Sequence, residues 1–254
     1  MYVAEVSFYG RITDRSVRNY VPIFRYLRSR RRVGGVLVTI NSEGGDATAS
    51  QILYDALSSL SSKKTVYAFI QGLGVSGSYW LACACTKIYA METSLVGSIG
   101  VISVNPSVRR FLERIGIDVN VTKVGKYKDM LSPFSPADDE AREIYRKVLS
   151  DIFSRFRDDV ISRRKIPPER IDETINGRVF SPREALELGL IDGIAGKEKV
   201  LEELRAATGS GMKVRRFEPR VPLISRLLGS VQVREYLQDL VEDVVTELMY
   251  RGIR

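Results

Sequence analysis

Two successive segments of this chain follow one plan, an apolar run, a glycine-bearing turn and a helix with an apolar stripe, and that repetition constrains the fold more than any other feature. Residues 33–40 are almost continuously apolar, the pattern of a strand buried on both faces. The turn Asn41-Ser42-Glu43-Gly44-Gly45-Asp46 follows, and Ile52, Leu53, Ala56, Leu57 and Leu60 then predict a helix over 48–60. Residues 65–70 repeat the strand, Gly72-Leu73-Gly74-Val75-Ser76-Gly77-Ser78 repeats the turn, and the small-residue run from Trp80 repeats the helix. Two such units bring their turns to the same end of a parallel sheet, where α/β sites are built, so the expected class is α/β.

The second turn offers chemistry. Ser76 stands at a strand-to-helix junction flanked by glycines, which permit tight backbone conformations and close approach of a substrate carbonyl. The first amides of the following helix have no intrahelical partner and suit a developing negative charge. A glycine-flanked serine is more often a structural turn, so a base is needed to make it a nucleophile. The chain contains no histidine. That excludes every Ser-His-Asp, Cys-His and His-metal arrangement, and leaves a lysine, a carboxylate or an amine as the base. Cys83 and Cys85 lie two apart, where helical geometry separates them, and read as buried small residues. No metal site and no cofactor are expected.

At 254 residues and 44% apolar content the chain can bury one sizeable core. No apolar run approaches the roughly 20 residues that span a bilayer, and the first residues read as a strand, not a signal peptide. The excess of 39 Lys and Arg over 31 Asp and Glu is concentrated at Arg28-Ser29-Arg30-Arg31-Arg32 and Lys213-Val214-Arg215-Arg216. Such clusters suit anionic lipid or nucleic acid, although a solvated helix end and a tail are the commoner explanation.

Taken in order, the pattern predicts strands at 2–9, 33–40, 65–70, 87–91, 99–104 and 119–124. Helices are predicted at 14–31, 48–60, 108–115, 138–164 and 197–207, the first with a kink or a late start at Pro22. Ser181-Pro182-Arg183-Glu184 is a helix start with a capping box. Gly209-Ser210-Gly211 reads as a linker, and Val233, Tyr236, Leu237, Leu240, Val241, Val244, Val245 and Leu248 form a helical stripe beyond it. The organisation expected is a domain over 1–208, with a helical extension for oligomerisation at 138–176, and a linker and helical tail over 209–254.

Five motifs, in order, resemble one family: Asn41-Ser42-Glu43-Gly44-Gly45, Val75-Ser76-Gly77-Ser78-Tyr79, Val96-Gly97-Ser98-Ile99-Gly100-Val101, Gly125-Lys126-Tyr127-Lys128-Asp129 and Ser181-Pro182-Arg183-Glu184-Ala185. This is the signal peptide peptidase A family of S49 Ser/Lys proteases, whose Clp-protease/crotonase-like fold repeats ββα units. The resemblance covers roughly residues 2 to 205. It implies Ser76 as nucleophile, Lys128 as general base, Ser98 as the hydroxyl orienting the amine, and the Gly45 and Gly77 amides as oxyanion hole, with Lys126 the neighbouring decoy. It further implies a homo-oligomeric ring, such as an octamer, in which the lysine reaches the serine of the next protomer. Peptide partners would be spent signal peptides and unfolded apolar segments, in a membrane-associated or cytoplasmic setting that admits peripheral membrane contact, with no nucleic acid. Two positions depart from the family pattern: Glu43 stands where proline is usual and Ser78 where glycine is usual. The rival readings are a crotonase-like acyl-CoA-binding protein, an assembly-only protein with a dead site, and an S49 relative that cuts membrane proteins.

A lysine can act as base only when neutral, and a free amine of pKa about 10.4 is almost wholly charged at pH 7. Desolvation lowers that value, so the amine is expected to be enclosed when the site is assembled.

Overall fold

Strand β1 (Tyr2–Tyr9) starts the sheet, with Val3, Ala4, Val6 and Phe8 fully buried. Helix α1 (Asp14–Ser29) then buries Tyr20, Val21, Phe24 and Leu27 on one face and starts from a capping box of Thr13 and Ser16. It starts at Asp14 and continues through Pro22, so of the two expected alternatives, a kink or a late start, the late start does not occur. Pro22 and Arg18 are both exposed, so the carbonyl that loses its N–H partner lies at the wet face, where water can serve it. Strand β2 (Val33–Ser42), helix α2 (Ala47–Ser61), strand β3 (Thr65–Val75) and helix α3 (Gly77–Cys83) realise the two repeated units. The computed structural model describes residues 1–135 and 138–219; the expected stripe at 233–248 lies outside them.

The chain continues through β4 (Lys87–Ala90), β5 (Leu95–Gly97), α4 (Arg109–Arg114), α5 (Asp139–Arg163), α6 (Ile171–Thr174), β6 (Val179–Phe180), α7 (Pro182–Glu187), β7 (Gly193–Ile194), α8 (Lys197–Thr208) and β8 (Val214–Phe217). The sheet order is β6-β5-β3-β2-β1-β8, and β3 forks: its first half pairs with β4, which pairs with β7, and its last three residues pair with β5. All pairings are parallel except β5 with β6. Helices α1, α2 and α3 cover one face, over Val36, Val38 and Ile40. Helix α8 covers the other, where Leu37, Tyr67, Phe69 and Tyr89 meet Val200 and Leu204. Burial on both faces is why strand 33–40 reads as a continuous apolar run.

Past Gly209, which caps α8 in the left-handed conformation at φ 60°, the chain adds β8 beside β1, and the compact unit runs from Met1 to Phe217. The strands expected at 99–104 and 119–124 are absent: neither segment finds a ladder partner among the described residues. Their alternation is that of strands, but strand structure requires a neighbour to accept its hydrogen bonds. Ile102 is 84% exposed and Val124 96%.

Helix α5 is seated by its second half. Phe156 stacks on Trp80 with ring centroids 4.8 Å apart, and Asp159 accepts a 3.0 Å hydrogen bond from the Trp80 indole. Beyond its end, Arg164 donates to Asp192 at 2.8 Å and to the Gly189 carbonyl. The first half, from Asp139, is mostly exposed.

Candidate active site

Strand β3 delivers Ser76 to the end of the sheet where helices begin. Its backbone sits at φ 56°, ψ −132°, a left-handed conformation that a residue with a side chain adopts only at a cost of order 1–3 kcal/mol. The junction is a sharp strand-to-helix elbow that lifts the hydroxyl out of the sheet. Its backbone is held from both sides: the Ser76 N–H donates to the Gly97 carbonyl at 2.8 Å, and the Ser76 carbonyl accepts from Tyr79 and Trp80. Tyr79, fully buried, anchors α3 by donating from its hydroxyl to the Leu190 carbonyl at 2.7 Å.

The first glycine turn abuts the elbow. A Cβ on Gly44 would lie 2.8 Å from the Gly77 amide nitrogen and 2.9 Å from Ser76 Cβ, so only glycine lets the two turns touch. Gly45 is fixed by a parallel bridge to Ile12, in which Ile12 N–H donates to the Gly44 carbonyl and Asp46 N–H to the Ile12 carbonyl. The Gly45 and Gly77 N–H groups donate to no acceptor among the described residues. They are therefore free to bind an oxyanion, Gly77 with the added bias of a helix N-terminus.

Ser78 has a different task from Ser76. Its side chain is fully buried, and its hydroxyl lies 2.6 Å from the Ser42 carbonyl and 2.8 Å from the Val75 carbonyl, tying the two turns together. The hydroxyl that can face a substrate is that of Ser76. Glu43 is exposed, while the neighbouring Ser42 hydroxyl accepts from the Gly44 N–H.

Ser76, Gly77 and Gly45 line a cleft of about 660 Å³. One wall is apolar, with Ile12, Trp80, Leu149, Ile152 and Phe156, and residues 100–103 form another side. The charged lining residues are Arg11, Asp14 and Asp46, and Asp46 is occupied as the cap of α2, accepting from Ala49 N–H at 2.7 Å. Among the described residues no lysine lines the cleft. Ser98, half-buried and itself at φ 52°, follows directly on Gly97, and its N–H donates to the Arg178 carbonyl.

Lys128 lies in a turn of the segment that follows and is exposed; among the described residues its amine has no hydrogen-bond or ion-pair partner. The protomer thus brings Ser76, Gly45 and Gly77 together in the cleft, sets Ser98 next to the Gly97 that holds the Ser76 N–H, and leaves Ser98 and Lys128 outside the cleft lining. Lys126 differs: its amine is bound by Glu140, which also accepts from Tyr127, and these partners raise its pKa above the ordinary lysine value. Asp129 accepts from Lys123 and Ser135, and its carboxyl is held below the usual range, first by the Lys123 bond. Burial pushes the Cys83 thiol up to about 12 and Cys85 higher still, so both are inert, as their small-residue setting suggests. Among the described residues no cluster of candidate metal ligands occurs, and no helix is long and apolar enough to cross a membrane.

Sequence reasoning did not assign the α5 wall of the cleft. Tyr145, Leu149, Ile152 and Phe156 recur at helical spacing, so the row was legible, but only the fold shows that it faces Ser76.

The model of peptidase family S49 matches residues 58–210. A putative protease of Synechocystis sp. is 34% identical over 199 residues, covering 76% of this chain and 71% of that protein. A putative protease of Methanocaldococcus jannaschii is 32% identical, covering 75% and 61%. The chloroplastic serine protease SPPA of Arabidopsis thaliana is 30% identical over 178 residues, covering 70% of this chain and 26% of that longer protein. Among solved structures, a mutant ClpP1 from Listeria monocytogenes aligns with a TM-score of 0.55 over 78% of this chain and 94% of that one, at 17% identity, a likeness of fold alone. With a Clp-protease-like α/β fold, a serine on a strained elbow and a family match over more than half its length, the chain belongs to peptidase family S49, and its enzyme class is that of a serine protease.

Proposed function

We propose that this chain is a Ser/Lys-dyad endopeptidase whose site is completed between protomers. Ser76 Oγ attacks the scissile carbonyl and passes its proton to the neutral amine of Lys128 from an adjacent copy. The tetrahedral oxygen accepts hydrogen bonds from the Gly45 and Gly77 amides, each worth on the order of 3 kcal/mol of barrier. The lysine ammonium then protonates the leaving amine. A water, deprotonated by the same amine, hydrolyses the acyl-enzyme and restores Ser76. Ser98 orients the amine.

The observation that carries this reading is Ser76 in a strained conformation beside two unpartnered amides at the floor of a cleft whose described lining offers no lysine of its own. Lys128, exposed and unpartnered on a segment rich in exposed apolar side chains, is a lysine free to supply one. Substrates are extended or unfolded apolar peptides, including signal peptides after release from the membrane, which suit the wall of Trp80, Leu149, Ile152 and Phe156.

A fluorophosphonate probe tests the assignment: Ser76 is labelled in the wild type, Ser76→Ala is not, and Lys128→Ala is labelled far more slowly. Labelling of another serine, or undiminished labelling of Lys128→Ala, contradicts it.

A further inference from the structure

The positive charge excess of the chain gathers at the end of the sheet opposite Ser76. In a parallel sheet that end collects strand starts and helix ends. Here these are the last turn of α1 with Arg28 and Arg30, the turn into β2 with Arg31 and Arg32, the turn into β3 with Lys63, and the start of β8 with Lys213 and Arg215, all exposed. Hydrogen bonds tie these turns into one surface. Tyr2 N–H donates to the Arg32 carbonyl, Val3 N–H to the Lys213 carbonyl, the Lys64 amine to the Val33 carbonyl, and Arg28 to the Ser59 carbonyl.

Among the described residues no acid offsets them. Residues 15–42, 56–91 and 204–217 contain no Asp or Glu, and none of the seven exposed cations pairs with a carboxylate among the described residues. Elsewhere about half of the described cations are paired with carboxylates, as along α5. The net charge of +8 is thus largely a property of one face, not of the molecule at large.

Apolar side chains protrude from the same face. Met212, 79% exposed, and Met1, 67% exposed, lie together, the Gly211 N–H donating to the Met1 carbonyl; Tyr26, 44% exposed, is packed between the Arg30 guanidinium at 4.2 Å and the Phe217 ring. Cations around protruding unbranched or aromatic groups match a bilayer surface, where the charges meet anionic headgroups and the apolar tips enter the headgroup boundary. A nucleic acid backbone would use the charge but has no place for Met212.

We infer that this face docks the protein on an anionic lipid surface. Strand β3 spans 11 residues between the two ends, so Ser76 lies roughly 30 Å or more from the lipid, open to peptides leaving it. The binding itself does not depend on the peptidase reading, and it is tested without turnover.

The test is co-sedimentation of the full chain with vesicles of phosphatidylcholine alone and of phosphatidylcholine with phosphatidylglycerol, at low and high salt. Binding is expected only to the anionic vesicles, and to fall at high salt. The triple variant Arg30→Glu, Arg31→Glu, Arg32→Glu should lower partitioning by at least about 100-fold. A control with the same charge change on α5, Arg142→Glu, Arg146→Glu, Lys147→Glu, should stay within about threefold, since it lies far beyond a Debye length from the docking end. Lys213→Gln with Arg215→Gln gives a milder second variant should the triple fail to fold, and Met212→Ser should weaken binding several-fold at unchanged charge. Absence of anionic-vesicle binding, equal losses in the face and α5 triples, or binding of duplex DNA without binding of vesicles overturns the proposal.

Discussion

The two halves of the candidate site differ in how complete they are. The nucleophile half, residues 41–50 and 72–80, is locked: Ser78 bridges the two glycine turns, Ile12 pins Gly45, and Trp80 is stacked on Phe156. The base half, residues 101–135, is the reverse. Ile102, Val104, Phe111, Ile115, Ile117 and Val124 are all exposed, far more apolar surface than one segment of a lone protomer normally shows. The contrast teaches that the elbow and its free amides need nothing from outside the protomer, whereas the segment carrying Lys128 has the surface of an element awaiting a partner.

Substitutions should separate the halves. The largest effect belongs to Ser76→Ala, expected to reduce peptide turnover by about 10⁴-fold or more with stability little changed, because alanine keeps the Cβ and its strain at the same positive φ. Retained turnover would break the assignment. Next comes Gly45→Ala. The new methyl would lie 2.2 Å from the Ile12 carbonyl oxygen, so the turn must shift and its amide with it. A loss of about 10²- to 10³-fold in kcat is expected, with KM little changed.

Stability measurements sharpen the contrast. Leu53→Ala, on α2 in the core that supports the packed half, should cost about 2–5 kcal/mol in denaturant melts. Ser78→Ala should cost about 1–3 kcal/mol, by leaving a buried hydroxyl site unfilled between two carbonyls, while the Ser76 probe still labels the protein. Val124→Ser should change protomer stability by less than about 0.5 kcal/mol yet reduce particle mass in light scattering and turnover with it. If Val124→Ser instead destabilises the fold as Leu53→Ala does, the segment is part of the core and the contrast fails. The smallest effect is expected of thiol reagents. With its pKa near 12, Cys83 is about one part in a thousand thiolate at pH 9, so native protein should resist alkylation that the unfolded chain accepts.

How much was legible in the sequence follows the same division. Both strand, turn and helix units and the Ser76 turn were readable, because strands buried on two faces and glycines needed at close contacts leave marks within a dozen residues. The α1 helix was readable except for Pro22, whose exposure no local pattern encodes. Strands 99–104 and 119–124 were predicted from alternation that is real, but alternation says only that a residue could pair, not that a neighbour exists. Strand β5 at Leu95–Gly97 was missed, since three residues carry too little periodicity and its place is set by the fork of β3. The role of Ser78 depended on a contact 36 residues away with the Ser42 carbonyl, which sequence spacing cannot reveal. The cation face needed the fold too, for it unites charges from three separate connections.

The central claim, a serine from one protomer served by a lysine from another, is tested most directly by mixing. Ser76→Ala and Lys128→Ala are each expected to be inactive against an unfolded peptide substrate. Co-refolded in equal amounts, they should regain a substantial fraction of wild-type turnover, roughly a quarter if subunits assort at random and each site needs one intact serine and one intact lysine. No recovery in mixed particles of wild-type mass, or full turnover by Lys128→Ala alone, would contradict the account.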